Sequence, residues 1–140
     1  MAVFARSLKN YQVEITAGNH TFLSDEPLGV GDDTGPDPFN LVLAGLASCT
    51  IITVQMYAQR KQWPLESVTA QMGLRSEEII APDGNKTRTS VIDMRLRFSG
   101  PLTMEQHQRL EEIANRCPVH RMLTGEIAVR STVDAQETWQ

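Results

Sequence analysis

Cysteine is scarce in this chain, basic clusters are missing, and no apolar run is long. Each absence excludes something. Two cysteines in 140 residues are too few for a disulfide scaffold, and a chain of this length has no need of one, because it can bury about two thirds of its unfolded surface. The start, Met1-Ala2-Val3-Phe4-Ala5-Arg6, lacks the basic and apolar stretches of a secretory signal, so a reducing, cytoplasmic setting is expected. The 13 basic and 17 acidic residues, net charge −4, are scattered. Nucleic acid, which needs a clustered basic footprint, is not an expected partner. No charged residue falls between Pro38 and Arg60. The apolar centre, Leu41–Val54, is nevertheless about 14 residues, short of the roughly 20 that span a bilayer, so a buried core helix is expected and no membrane role. There is no Gly-x-Ser-x-Gly, and Gly29-x-Gly31 sits in an acidic loop that would repel phosphate.

What is present reads as α+β in one domain, residues 1–140. Tyr11–Thr16 alternates apolar and polar side chains at the period of a half-buried strand. Ala17-Gly18-Asn19-His20 supplies a turn, and Thr21-Phe22-Leu23 starts the return. Residues 25–37, with three glycines, Pro27 and Pro36, form a loop that is either a solvated connector or the lining of a site. Asp37 then caps a helix with Pro38 in its first turn, ending near Lys61 before Trp63-Pro64. Because Leu41, Val42, Leu43, Leu46, Ile51, Ile52 and Val54 leave almost no polar side, the helix should be buried all round. One 140-residue domain can hardly surround it. A homodimer interface is therefore expected, with Ala44, Gly45, Ala47 and Ser48 allowing close approach.

A second hairpin follows. Val68, Ala70, Met72 and Leu74 alternate with polar residues, Ala81–Asn85 turns, and Ile92, Met94, Leu96 and Phe98 share one face of the return strand. Thr103-x-x-Gln106 is a capping box for a helix to about Arg116, with His107, Leu110, Ala114 and Cys117 on its apolar stripe. Pro118 forces a break or a fresh helix. After Thr124-Gly125, Ile127, Val129 and Ser131 read as a final strand.

The two thiols sit in unlike settings. Cys117 precedes Pro118, where a new helix N-terminus and Arg116 or Arg121 could stabilise a thiolate. Cys49, mid-helix between Ser48 and Thr50, gains nothing from a dipole and would need an arginine brought by the fold. Spacing alone leaves three readings open: inert core cysteines, a redox pair, or metal ligands. For metal, Cys117-x-x-His120 is half a zinc site that Cys49 and His20 or His107 could complete only through the tertiary fold.

The run from Asp33 through Pro36-Asp37-Pro38-Phe39-Asn40 to Leu46-Ala47-Ser48-Cys49-Thr50 resembles the start of the cysteine helix in the OsmC/Ohr family. Met56-Tyr57-Ala58-Gln59-Arg60-Lys61-Gln62-Trp63-Pro64-Leu65 and Ile113-Ala114-Asn115-Arg116-Cys117-Pro118-Val119-His120-Arg121-Met122-Leu123 resemble the OsmC-like branch. The resemblance implies an OsmC-like α+β fold: antiparallel sheets, a long central helix carrying Cys49, a second helix leading to Cys117, and an intertwined homodimer. It also implies thiol-dependent reduction of organic and other hydroperoxides, with Cys49 attacking and Cys117 resolving. An external dithiol of dihydrolipoyl type would restore the thiols, with no metal and no organic cofactor.

The sequence departs from the family pattern where relatives use a glutamate to hold an arginine against the thiolate. Asn40 stands about where that glutamate falls, and residues 25–37 contain no arginine. Asp37, Arg6 and Arg121 are the candidates to support the thiolate in their place, with Asn40 as a hydrogen-bonding partner for an arginine. The alternative function is a non-catalytic OsmC-like homodimer that binds a small apolar ligand at the subunit interface.

Overall fold

A computed structural model describes residues 1–134; the last six residues of the expected 1–140 domain lie outside the described residues. The element order is β1 (Val3–Ser7), β2 (Val13–Ala17), β3 (His20–Ser24), α1 (Pro38–Lys61), β4 (Ser67–Ile80), β5 (Lys86–Ser99), α2 (Met104–Ala114) and α3 (Pro118–Thr124). Strands β1-β2-β3 form one antiparallel sheet and β4-β5 another. The fold class is α+β, as the alternation patterns indicate.

The first hairpin turns between Ala17 and His20, which pair in register, with Gly18 at φ 61° supplying the left-handed residue of a tight turn. Strand β1 was not evident from its sequence. It pairs with β2 through Val3↔Ala17 to Ser7↔Val13, and every residue in it is exposed, so no burial period marks it.

Helix α1 starts and stops where the capping chemistry dictates. Asp37 accepts the Asn40 amide at 2.8 Å, Pro38 occupies the first turn, and Gln62 closes the far end in a left-handed conformation (φ 56°). Over 24 residues the helix runs about 36 Å. By length and composition it would also suit a bilayer. Here one stripe, Leu46, Thr50, Val54 and Ala58, is buried where the helix packs on β4, α2 and α3.

The core lies at the C-terminal half of α1. Val54, Ala58, Leu110 and Ala114 are its buried centre, flanked by Tyr57, Trp63, Leu65, Val68, Leu96 and Phe98. The α2 stripe meets α1 through Leu110, Ile113 and Ala114, and the reciprocal capping box of Thr103 and Gln106 sets where α2 begins. Arg109 ties the two helices together, its Nε donating to the Tyr57 hydroxyl at 3.0 Å.

One expectation needs correction. The expected final strand at Ile127, Val129 and Ser131 does not form: residues 125–134 carry no regular structure. A strand exists only against a neighbouring edge, and the segment has none among the described residues. Helix α1 is not covered on all sides by its own chain, in line with the expectation that one domain can hardly surround it. Ile52 is 51% and Met56 64% exposed, and Phe39 and Val42 are exposed as well.

Candidate functional site

The loop that delivers α1 is more than a connector. Asp25 is buried, and its carboxylate accepts from the Thr34 hydroxyl at 2.7 Å, the Thr34 amide at 3.1 Å and the Glu26 amide at 2.7 Å. These bonds, the Thr34 hydroxyl first, hold the Asp25 carboxyl below the usual carboxylate range despite its burial. Ser24 Oγ donates to the Pro36 carbonyl at 2.9 Å, and a Cβ on Gly35 would collide with the Leu23 carbonyl oxygen, so only glycine fits. The loop is thus pinned to the end of β3 just before Asp37 caps α1.

Cys49 lies in the fourth turn of α1, half-buried, as a free thiol. Cys117 is also free but fully buried, 0% exposed. It is the N-cap of α3, with its sulfur accepting the His120 amide at 3.2 Å. The short helix expected at Pro118 therefore forms. Its consequence is local: Cys117 Sγ satisfies an otherwise orphaned helix amide.

Thr50 joins the two thiol segments. It follows Cys49 in the chain, is fully buried, and places its hydroxyl oxygen 3.7 Å from Cys117 Sγ and 3.8 Å from Met94 Sδ. The α1 turn that carries Cys49 is therefore packed directly against Cys117. No motif or spacing marks Thr50; a threonine inside an apolar helix is the one trace it leaves in the sequence. Next to this contact a cavity of about 250 Å³ is lined by Leu46, Ile92, Met94, Leu123 and His120.

The other sequence candidates fall into pairs. Asp37 and Asn40 satisfy each other: besides the cap, Asn40 Nδ2 donates to Asp37 Oδ2 at 2.9 Å. Asn40 is nine residues before Cys49, about 13 Å along the helix. Arg6 donates to Glu14 at 2.8 Å across β1 and β2. Arg121 lies in α3 with an exposed side chain, its amide bonded to the Cys117 carbonyl at 3.1 Å. Among the described residues no arginine hydrogen-bonds to Cys49, and no three His, Cys, Asp or Glu side chains are grouped to hold a metal. His120 meets Cys117 through its backbone amide.

An antiparallel α+β framework with one thiol on a long helix and another capping a short one defines an α+β dithiol protein. The family model described as "OsmC-like protein" matches residues 31–132, and the chain belongs to the OsmC-like family. Solved structures agree in fold. A putative osmotic stress induced and detoxification response protein from Psychrobacter arcticus is 17% identical, with 87% of each chain covered and a TM-score of 0.68. An OsmC-like protein from Mycoplasma pneumoniae is 20% identical over 89% of this chain and 86% of that one, TM-score 0.65. An organic hydroperoxide resistance protein OsmC from Legionella pneumophila is 22% identical over 89% and 88%, TM-score 0.61. No curated protein matches the chain.

Proposed function

We propose that the chain is a thiol-dependent peroxidase that reduces organic hydroperoxides. The observation that carries this reading is the 3.7 Å contact between Thr50, the neighbour of Cys49, and Cys117 Sγ, which brings the second thiol to the helix turn of the first. The names of related structures point the same way: the Legionella protein and another from Elizabethkingia anophelis are both called organic hydroperoxide resistance proteins.

Cys49, the more accessible sulfur, attacks the peroxide. Its thiolate bonds to one peroxide oxygen, the O–O bond breaks, and the other oxygen takes a proton and leaves as alcohol. Cys49 becomes a sulfenic acid. Cys117 sulfur then bonds to Cys49 sulfur, the S–O bond breaks, and hydroxide leaves as water with the thiol proton. An external dithiol, of dihydrolipoyl type by family resemblance, restores both thiols by exchange. The cycle uses no metal and no organic cofactor. Of the four candidates for supporting a thiolate, Arg121 is the one to retain, because Arg6 is engaged by Glu14 and Asp37 with Asn40 by each other.

The working unit is an intertwined homodimer in the cytoplasm. The exposed apolar side chains of α1 (Val42, Ile52, Met56), of the first sheet (Val3, Phe4, Phe22) and of the distal hairpin (Leu74, Ile79, Ile80) support this reading, as surfaces that a second copy would cover. The test of the chemistry is stopped-flow oxidation of the reduced protein by cumene hydroperoxide, beside Cys49→Ser. Thiol loss should be far faster than for free cysteine and vanish in the variant; a rate equal to free cysteine would discard the peroxidase. A second reading, a non-catalytic homodimer binding a small apolar ligand, is favoured by one observation: no guanidinium hydrogen-bonds to Cys49 among the described residues. Slow thiol oxidation together with saturable binding of an apolar fluorophore would select it.

A further inference from the structure

Thr50 is a fully buried hydroxyl between two sulfurs and a carbonyl, and the number of protons it carries decides what it can do. A threonine hydroxyl has one proton and two lone pairs. The Leu46 carbonyl, four residues back and 2.8 Å away, takes that proton in the arrangement observed. The geometry would let Thr50 donate to Cys117 Sγ, 3.7 Å off; with its one proton on Leu46, it presents that sulfur only lone pairs, the arrangement in which the Cys117 S–H is the donor. The Cys117 sulfur meanwhile accepts the His120 amide at 3.2 Å. The thiol is held at two points, one on its proton and one on a sulfur lone pair.

The bond to Leu46 is also a spare. In an α-helix the Leu46 carbonyl already has the amide of residue 50 as its partner, and threonine back-bonding to the same oxygen adds little to the helix. The hydroxyl can therefore turn from Leu46 to a Cys117 thiolate without leaving the carbonyl unpaired.

We propose that Thr50 is the positioning residue for the resolving thiol: it accepts from Cys117 S–H, then donates to the Cys117 thiolate, and so keeps that sulfur aimed through its deprotonation. The inference rests on the peroxidase reading, in which Cys117 closes the disulfide with a Cys49 sulfenic acid. In that step the S–S bond forms, the S–O bond breaks, and the Cys117 proton leaves with the hydroxide as water. His120 is the one titratable side chain on the adjoining cavity wall; the facing groups from α1 and β5, Leu46 and Met94, carry none.

Two measurements on Thr50→Val and Thr50→Ser test it. In single-turnover reaction with cumene hydroperoxide, Thr50→Val should form the dimedone-trappable sulfenic acid at the wild-type rate. It should then resolve that acid on the order of tenfold more slowly, the loss of one net hydrogen bond. Thr50→Ser should restore resolution. In the Cys49→Ser background, the infrared S–H stretch of Cys117 should rise in frequency with Thr50→Val, as the proton loses its acceptor, and return with Thr50→Ser. An S–H band that ignores the substitution, with normal sulfenic acid chemistry, overturns the Thr50 proposal and leaves the peroxidase standing. A band that moves as expected while no sulfenic acid forms in the wild type overturns the peroxidase reading, and with it the resolving role, but upholds the hydrogen bond.

Discussion

Residues 1–37 and residues 38–124 are folded on different terms. The second region closes a core of its own, with Val54, Leu110 and Ala114 shielded from water between α1, α2 and the hairpin. In the first, only Ser24 and Asp25 are buried, both at the point where the loop to α1 begins, and the three-stranded sheet packs mainly on itself. Three short strands with no covered apolar face cannot repay their ordering entropy alone. One region has a core of its own; the other leaves its apolar side chains open, and in the proposed homodimer the uncovered flank of α1 in a second copy would be available to meet them.

The largest effect that sharpens this contrast belongs to the region that holds the core. Leu110→Ala removes a fully buried side chain from the centre of the core and should cost about 3 kcal/mol, within the range for leucine truncation. Urea denaturation reads it as a lowered midpoint at unchanged slope. A loss below about 1 kcal/mol would mean that the α1–α2 contact is not the structural centre.

Next comes the face that a second copy would cover. Ile52→Glu adds a charge at a position half open in one chain, so the fold of the single chain should tolerate it. At an apolar interface the same carboxylate would be desolvated without a partner, and association should weaken on the order of a hundredfold, equivalent to about 3 kcal/mol. Sedimentation velocity over a concentration series would show monomer where the wild type is dimeric, with the far-ultraviolet circular dichroism unchanged. Association unaffected by Ile52→Glu would move the dimer interface elsewhere.

The sequence was most legible where local chemistry is self-contained. The Asp37 cap, the Thr103–Gln106 capping box, the Ala81–Asn85 turn and the alternation across β4 and β5 each need only neighbours in the chain, and each predicts its element. Legibility failed at both ends of the chain. Strand β1, wholly exposed, has no burial period to betray it, and the strand expected at Ile127–Ser131 has no edge to join among the described residues. The site divides the same way. The resemblance picks out Cys49 and Cys117 from motif alone. Their link through Thr50 depends on Cys117 and α1 meeting across 67 positions of sequence, and no spacing encodes that.

The smallest effect tests the hinge between the two regions. Asp25 holds the loop through the Thr34 hydroxyl and amide and the Glu26 amide, bonds that favour its ionised form and lower its pKa in the folded chain. A carboxyl depressed on folding stabilises the protein above its unfolded pKa, about 3.9 for Asp, and that stabilisation disappears as the pH falls through the lower folded value. Asp25→Asn keeps one accepting oxygen and replaces the other by an amide NH2, which cannot accept, so either the two Thr34 donors or the Glu26 amide must lose a partner. The variant should therefore unfold more readily than wild type at pH 7, and the gap should narrow as acidification below about pH 4 protonates the Asp25 carboxyl in the unfolded chain, closing as the native carboxyl follows at its lower value. Thermal midpoints measured from pH 7 down to 3 would read this directly. A gap that stays constant across that range would mean that Asp25 acts by shape rather than charge, and that the loop is fixed chiefly by the Ser24–Pro36 bond and the Gly35 approach to Leu23.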